Sequence, residues 1–187
     1  MNPSQDHRAL LQAELLNRPV QAATAADPLR PILASALAGR SLQQGVLNAT
    51  LGLPEVAFQA LWASHFPGER LNLPDGPSLD MLEVDGLRDM LLKHRAGSSD
   101  AEVWMADIVA YGCSGHHHLW QDLGLANRSE LSSLMTHAFP SFAAQNTGDM
   151  KWKKFIYRSY CDTEGIYFCP APSCDECADH DHCFPPK

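Results

Sequence analysis

Four cysteines near the end of the chain have the spacing of a metal-binding motif. Cys169, Cys174, Cys177 and Cys183 follow the pattern C-x4-C-x2-C-x5-C in a segment broken by prolines. Thiolates are soft ligands that favour zinc, copper(I) and iron-sulfur clusters. Four thiolates on one short loop can satisfy a tetrahedral ion or most of a cuboidal cluster, so a metal centre is the first hypothesis for this segment.

The spacing favours iron-sulfur chemistry over zinc but leaves both open. Structural zinc sites usually present two C-x2-C pairs, whereas only Cys174 and Cys177 form such a pair here. The order of four and then two intervening residues matches the first three cysteines of a plant-type ferredoxin loop. A disulfide framework is the weaker interpretation, because the segment from Met1 to Val20 has no apolar core typical of a secretion signal.

Three further residues could add donors to the same centre. Cys161 precedes the cysteine segment and lies close to Gly165, which is predicted to end a helix. Cys113 comes shortly before three consecutive histidines, of which His118 is the last. Successive helical residues diverge by about 100 degrees, so at most one or two of the histidines can face a common site. A buried free cysteine and a surface histidine cluster are the alternative interpretations.

A basic amphipathic helix is predicted directly before the cysteine segment, over Asp149 to Tyr160. Its apolar residues share one face, while Lys151, Lys153, Lys154 and Arg158 are expected to lie largely off that face. These four residues form either an ordinary solvated face or a patch that draws an oxyanion or an acidic partner towards the thiolates. We therefore treat them as candidate docking residues.

The composition limits the classes of partner and reaction. The chain has 187 residues, enough for one well-cored domain with a small appendage, and its formal net charge is -8. That charge argues against general affinity for nucleic acid or anionic membranes, and no apolar run approaches the length of a membrane span. We expect a cytoplasmic protein whose partners are proteins or small molecules. No P-loop, dinucleotide-binding glycine motif or Ser/His/Asp constellation supports a conventional hydrolase or nucleotide enzyme.

Apolar periodicity and capping residues predict an all-α fold. We expect a single helical body over residues 1–160 and an irregular, cysteine-rich metal-binding tail over residues 161–187. Pro54 is predicted to open one helix, Asn127 to cap another, and Ser99 with Glu102 to form a capping box. The predicted helices are Arg8 to Leu16, Leu29 to Ala38, Ser41 to about Asn48, Glu55 to His65, Leu79 to Arg95, a helix from the Ser99 cap to Gly112, Asn127 to Met135 and Asp149 to Tyr160.

Several segments together resemble the NifQ family. The resemblance is strong from about Ser99 to Phe184 and weaker before that. The matching features are Met150-Lys-Trp-Lys-Lys-Phe-Ile-Tyr-Arg158 with Cys161, Gly165 and the four-cysteine pattern, His118-Leu-Trp-Gln-Asp-Leu-Gly-Leu125 with Arg128, Glu130, Leu131, Leu134 and Met135, then Phe139-Pro140 and Asn146, and Glu102-x-Trp104 leading to Cys113.

The resemblance implies a molybdenum-handling iron-sulfur protein of nitrogen-fixing bacteria. NifQ-like proteins are taken to carry a Mo-Fe-S cluster and to supply molybdenum for the iron-molybdenum cofactor of nitrogenase, with the NifEN scaffold and the NifH protein as partners. Carried onto this sequence, Cys169, Cys174, Cys177 and Cys183 become the cluster ligands. The implied role is that of a carrier and donor loaded from molybdate, rather than that of an enzyme with turnover.

A MoFe3S4 cuboid, formed from an all-iron precursor, would need more donors than four cysteines provide. Each iron takes one protein thiolate, and the molybdenum takes further N, O or S donors. We hypothesise that Cys161, or His118 with Cys113 from the body, completes the coordination or receives incoming molybdate. Two rival interpretations stay open: an interaction module with a structural zinc site, and an iron-sulfur electron-transfer protein.

Overall fold

The computed structural model describes residues 3–77, 79 and 83–165. Within these residues all regular secondary structure is helical, which confirms the predicted all-α class for this part of the chain. No helix of the described part is both long enough and apolar enough to cross a membrane. The division into a body and a tail stays a prediction. The described helices are α1 (Pro3–Leu16), α2 (Ala22–Ala25), α3 (Arg30–Ser41), α4 (Glu55–His65), α5 (Val84–Leu92), α6 (Ala101–Cys113), α7 (Leu119–Asp122), α8 (Arg128–Ala138), α9 (Pro140–Ala143) and α10 (Trp152–Glu164).

Two helices, α3 and α6, lie at the centre of the body. Residues of α3 are buried on all sides of the helix, and most residues of α6 are buried as well. The backbone of Gly124 lies so close to α3 at Gly39 that a Cβ at Gly39 would collide with the carbonyl oxygen of Gly124. Around this centre α1 packs on α3, and α5 packs on α6.

Arg8 fastens α1 to the centre of the body. Its buried guanidinium donates hydrogen bonds to the hydroxyl and carbonyl oxygens of Ser35, to the carbonyl oxygen of Gly124 and to the Gln44 side chain. Ser35 in turn donates to Glu130 Oε2 at 2.6 Å. Burial lowers the pKa of Arg8, and the nearby Glu130 carboxylate partly offsets that effect. The network joins α1, α3 and the first turn of α8.

Helices with strong local end signals lie where they are predicted. The prediction for α4 is confirmed, since it begins directly after Pro54. At the start of α8 the side chain of Asn127 accepts a hydrogen bond from the N–H of Glu130 at 3.0 Å, which is the predicted cap. Gly165 ends α10 with a φ of 66°, a left-handed conformation that glycine adopts without strain.

Other predicted boundaries are wrong. Ser41 is the last residue of α3 rather than the cap of a new helix, and residues 42–54 are turns, bends and irregular backbone. In this segment Gln43 has a φ of 60° and Gly45 a φ of 78°, so the chain leaves the right-handed helical region. The helix predicted from Leu79 is α5, which begins at Val84 and ends at Leu92. The basic helix, α10, begins at Trp152 and continues to Glu164.

Glu102 orders the loop before α6, although the helix begins at Ala101 rather than at a Ser99 cap. The buried carboxylate accepts hydrogen bonds of 2.5 to 3.0 Å from the N–H groups of Gly97, Ser98 and Ser99 and from the Ser98 hydroxyl. Burial alone would raise the pKa of Glu102, but these hydrogen bonds outweigh it and hold the pKa below its ordinary value. The hydrogen bond from the N–H of Ser99 to the Glu102 side chain, which is one of the two bonds of the predicted capping box, is therefore present.

The helix that leads to the cysteine segment, α10, is held near both of its ends. Phe155 contacts Phe142 of α9 with 4.8 Å between ring centroids. Near the other end the Tyr160 hydroxyl donates to Glu83 at 2.6 Å, and the Tyr160 ring lies so close to Gly86 that a Cβ there would collide with it. The described part of α10 is thus a fixed element of the body.

Candidate metal centre

The four predicted cluster ligands, Cys169, Cys174, Cys177 and Cys183, lie outside the described residues, and their role as ligands stays a prediction. The described residues contain the helix that precedes them and all the other candidates. Those candidates are Cys113, His118, Cys161, Lys151, Lys153, Lys154 and Arg158.

Lys153 lies in the packed interface of α10 and not on a solvated face, contrary to the prediction. Its side chain is 7% exposed, and its ammonium pairs at 2.5 Å with Oδ2 of Asp122, whose side chain is fully buried. The ammonium also donates to the carbonyl oxygens of Gly115 and His117, both at 2.8 Å. Hydrophobic patterning assigns lysine to solvent, but a lysine can be buried when all of its donors are paired.

The other basic residues of α10 differ in exposure. Lys154 is buried, Lys151 is half-buried, and Arg158 is exposed and lies 3.8 Å from Asp162 one turn later. The prediction that the basic residues lie off the packed face is therefore wrong for Lys153 and Lys154. The four residues do not form one continuous basic surface. A docking role for Lys151 and Arg158 stays a prediction.

Most of the connection between α6 and α7 is Gly115 to His118, which we call the histidine loop. Asp122 Oδ2 accepts a hydrogen bond from the N–H of His117 at 3.1 Å in addition to the bond from Lys153. The first residue of the loop must be glycine, because a Cβ there would collide with the Asp122 carboxylate. Lys153 and Asp122 thus fix the loop backbone, while the first two histidines are exposed.

His118 is half-buried and stands directly before α7. Its N–H donates to the side-chain oxygen of Gln121 at 3.2 Å. Its Nε2 lies 3.4 Å from a guanidinium nitrogen of Arg128. Imidazole is a common ligand of transition metals, so the chemistry of His118 suits the predicted donor role, which stays a prediction.

Cys113 is the last residue of α6 and is completely buried. Burial raises the pKa of its thiol to about 12, and the nearby Lys153 ammonium only partly opposes that effect. The Tyr157 hydroxyl of α10 donates to the Cys113 carbonyl oxygen at 3.2 Å. Since thiolates and not thiols bind metals, a ligand role for Cys113 would require the side chain to be uncovered and deprotonated.

Cys161 lies in the last turn of α10 and is half-buried. The expectation that it follows the helix is wrong, because α10 continues to Glu164. A helix rises about 1.5 Å per residue, so Cys161 stands about 12 Å along the axis from Lys153. Of the two described cysteines, it is the more exposed and the nearer in sequence to the tail.

The described residues do not assemble a complete metal site by themselves. Within residues 3–77, 79 and 83–165, no group of three or more His, Cys, Asp or Glu side chains is placed to hold a metal ion. Cys161 and His118 offer a soft thiolate and an imidazole, which is the right chemistry for supplementary donors to a molybdenum-iron-sulfur cluster. Most of the ligands to such a cluster would have to come from the tail.

Asp122 is the key residue of this region that sequence reasoning missed. It stands between the buried leucines Leu119, Leu123 and Leu125 in a segment that is otherwise packed into the core. An acidic residue among buried apolar neighbours indicates a buried carboxylate that requires a partner. Its partner, Lys153, is 31 residues further along the chain.

Comparison with known proteins identifies relatives over most of the chain. The family profile described as NifQ matches residues 29–185, a range that includes all four tail cysteines. Protein NifQ of Azotobacter vinelandii is 40% identical over 162 residues, covering 78% of this chain and 83% of that protein. Protein NifQ of Rhodobacter capsulatus is 36% identical over 187 residues, covering 92% of this chain and 99% of that protein. No solved structure matches the chain.

Proposed function

The chain belongs to the NifQ family, a family of nitrogen fixation, and we propose that it is a carrier and donor of molybdenum. In this proposal it holds a Mo-Fe-S cluster and supplies molybdenum for assembly of the iron-molybdenum cofactor of nitrogenase. The observation that carries the proposal is the C-x4-C-x2-C-x5-C pattern inside the matched range, directly beyond a helix that is fixed to the body. Soft thiolates in that number suit an iron-sulfur cluster.

Cluster ligation is assigned to the four tail cysteines, with additional donors from the body. In a MoFe3S4 form three thiolates serve the irons, and the molybdenum needs more donors than one cysteine supplies. Cys161 is the first candidate, because it is half-buried in the helical turn that precedes the tail. His118 is the second candidate, and the buried Cys113 is the third.

A carrier has to hold its cargo in a form that a partner can remove. We propose molybdate as the source of molybdenum, and the NifEN scaffold with the NifH protein as the recipients. Any chemistry on the protein would then be limited to processing molybdate during loading. The cytoplasm is the expected compartment, since its reducing conditions keep the cysteines available as thiols.

Anaerobic reconstitution tests this proposal. The protein is incubated with ferrous iron, sulfide and molybdate, desalted, and assayed for iron, sulfide and molybdenum together with its visible absorbance. A brown protein that contains all three elements and passes molybdenum to a cofactor-assembly complex would support the carrier role. A colourless protein that holds zinc would indicate an interaction module, and a reversible redox couple without molybdenum transfer would indicate an electron carrier.

Two variants test the supplementary donors. Cys161→Ser and His118→Ala should each keep iron but lose molybdenum after the same reconstitution. His137→Ala is a matched control, because His137 is an exposed histidine on α8. Full molybdenum content in both test variants would exclude Cys161 and His118 as molybdenum donors.

The docking proposal now concerns Lys151 and Arg158, since Lys153 and Lys154 are buried. Exposed charges are screened by salt, so higher ionic strength should slow molybdenum loading or transfer. Arg158→Gln should reproduce part of that effect, with Asp162→Asn as the control that leaves the arginine in place. Rates that respond to neither salt nor Arg158→Gln would exclude this docking surface.

A further inference from the structure

A site for one guanidinium group lies where α1 crosses the centre of the body. Four oxygen acceptors line it: the Gln44 side chain, the hydroxyl and carbonyl oxygens of Ser35, and the carbonyl oxygen of Gly124. The Arg8 guanidinium fills the site, with Gln44 bonded to Nη1 and the other three oxygens 2.5 to 3.0 Å from Nη2. We call Ser35, Gln44 and Gly124, together with Gly39, the guanidinium socket.

The chemistry of the socket selects a planar cation. Its Ser35 hydroxyl donates its own proton to Glu130 Oε2 at 2.6 Å, so it acts towards the ligand only as an acceptor. The Glu130 carboxylate thereby supplies negative charge one hydrogen bond away from the ligand. Gly39 provides the space, because a Cβ there would lie 2.8 Å from Nη1 of Arg8. A guanidinium presents a flat fork of N–H donors to such acceptors, whereas an ammonium is a compact point charge.

The first half of α1 depends on this socket for its attachment. We call residues 6–11 the α1 arm. Arg8 is the one buried side chain among these residues, and Leu11 is half-buried. The end of α1 is held differently, since Leu15 is fully buried and Arg30 donates hydrogen bonds to the carbonyl oxygens of Leu15 and Leu16. Apolar burial therefore holds the end of α1, and the guanidinium contact holds the arm.

Arg8 fills the socket at some cost. Its Nε is buried and has no hydrogen-bond partner among the described residues, and all four oxygens that it contacts are uncharged. A buried donor without a partner is unfavourable, so a ligand with the same guanidinium group can compete with Arg8. The family profile matches residues 29–185, which include every socket residue and exclude Arg8. The match to the family therefore does not depend on the arm.

We propose that the guanidinium socket is a binding site for an arginine side chain of a partner protein, and that Arg8 is an intramolecular ligand which this arginine displaces. Displacement releases the α1 arm, while Leu15 and Arg30 keep the rest of α1 in place. The occupant is a protein segment because the arm itself is helical, and its departure uncovers a track along α3 together with the socket. The inference requires no metal and is independent of the proposed function.

Chemical rescue of Arg8→Ala in the metal-free protein tests the socket. The atoms that this variant deletes correspond to ethylguanidinium, which at millimolar concentration should raise the Tm of the variant in a saturable way. Hydrogen exchange of the arm amides should be about ten- to hundredfold faster in Arg8→Ala and should slow again with the compound. Ethylammonium is the control ligand and Arg70→Ala, at an exposed arginine, the control variant. Adding Ser35→Ala to Arg8→Ala removes an acceptor and should abolish the rescue.

A peptide with the sequence of residues 3–16 tests recognition of arginine on a separate chain. The labelled peptide is titrated with wild-type protein and with Arg8→Ala, and binding is followed by fluorescence anisotropy. It should bind Arg8→Ala about ten- to hundredfold more tightly than the wild type, in which Arg8 occupies the socket. The same peptide with lysine in place of its arginine should lose most of this affinity.

Several results would overturn the inference. An equal rise in Tm with ethylammonium, or in Arg70→Ala, would show a general salt effect and no socket. Rescue by ethylguanidinium without binding of the arginine peptide would limit the socket to small compounds and exclude displacement by a partner protein. If Arg8→Ala does not fold alone, it is refolded from urea with each compound. Recovery with ethylguanidinium only would then support the socket, and equal recovery with ethylammonium would refute it.

Discussion

Replacing Lys153 with methionine should destabilise the metal-free protein strongly. In the wild type the fully buried Asp122 carboxylate accepts hydrogen bonds from the Lys153 ammonium and from the N–H of His117. The variant leaves a buried negative charge with only the amide as partner. Removing one member of a buried ion pair typically costs about 3–5 kcal/mol. For a protein of this size that corresponds to a fall in Tm of roughly 6–20 °C, at about 2–4 °C per kcal/mol.

The matching double variant separates the charge effect from the loss of packing. Lys153→Met combined with Asp122→Leu leaves no buried charge, and apolar replacement of a whole buried pair is often neutral or stabilising. Most of the stability lost in the single variant should therefore return. The carbonyl oxygens of Gly115 and His117 lose their donor in both variants, so the recovery should be incomplete.

Urea unfolding of the wild type, Lys153→Met, Asp122→Leu and the double variant measures the interaction free energy of the pair directly. A Lys153→Met protein within about 1 kcal/mol of the wild type would refute the reasoning, because that is the worth of an exposed ion pair. A double variant that loses the sum of the two single effects would refute it as well, since the two residues would then act independently.

Three further measurements follow from the described residues. Glu102→Gln should make the free energy of unfolding less dependent on pH in the acid range. A carboxylate with a lowered pKa stabilises the fold at pH values above its ordinary pKa of 4.5, and this contribution disappears as the pH falls through the folded pKa. Unfolding curves at a series of pH values would measure the difference. Iodoacetamide should modify Cys161 much faster than Cys113, because burial raises the pKa of the Cys113 thiol to about 12. Equal modification rates in peptide mapping would show that Cys113 is not buried. Gly115→Ala should cost about 1–3 kcal/mol in urea unfolding through collision with a buried carboxylate. Gly148→Ala is its control, because a Cβ there meets nothing within 4 Å.

Helix ends that depend on neighbouring residues could be predicted from the sequence. The cap at Asn127 and the start of α4 after Pro54 depend on interactions within a few residues of the helix end. The helix predicted from Ser41 is absent because contacts with residues far away in the sequence determine the backbone conformation of that segment. The N–H of Val46 donates to the carbonyl oxygen of Asp122 at 2.8 Å, and this contact belongs to a turn that a helix would not form. A favourable capping residue could not reveal such a partner.

The candidate site was predictable to a different extent for each kind of residue. Cysteine spacing is a property of the chain, so the tail ligands could be proposed without a structure. The environment of Lys153 depends on Asp122 on a separate helix, and the periodicity of α10 alone contains no information about that helix. The four basic residues of α10 have similar positions in the sequence pattern but different environments in the fold.

The segment from His118 to Leu125 resembles the family and acts mainly as a support for the histidine loop. Its leucines are buried in the core, and Asp122 ties the loop to α10. Gly124 has a φ of 66°, and its carbonyl oxygen accepts a hydrogen bond from Arg8 of α1. The groups that could carry chemistry are thus few in this segment, while the groups that fix its position come from α1, α6 and α10. The proposed donor role of His118 would benefit from a support of this kind, because an imidazole on an unanchored glycine-histidine loop would lose conformational entropy on binding a metal.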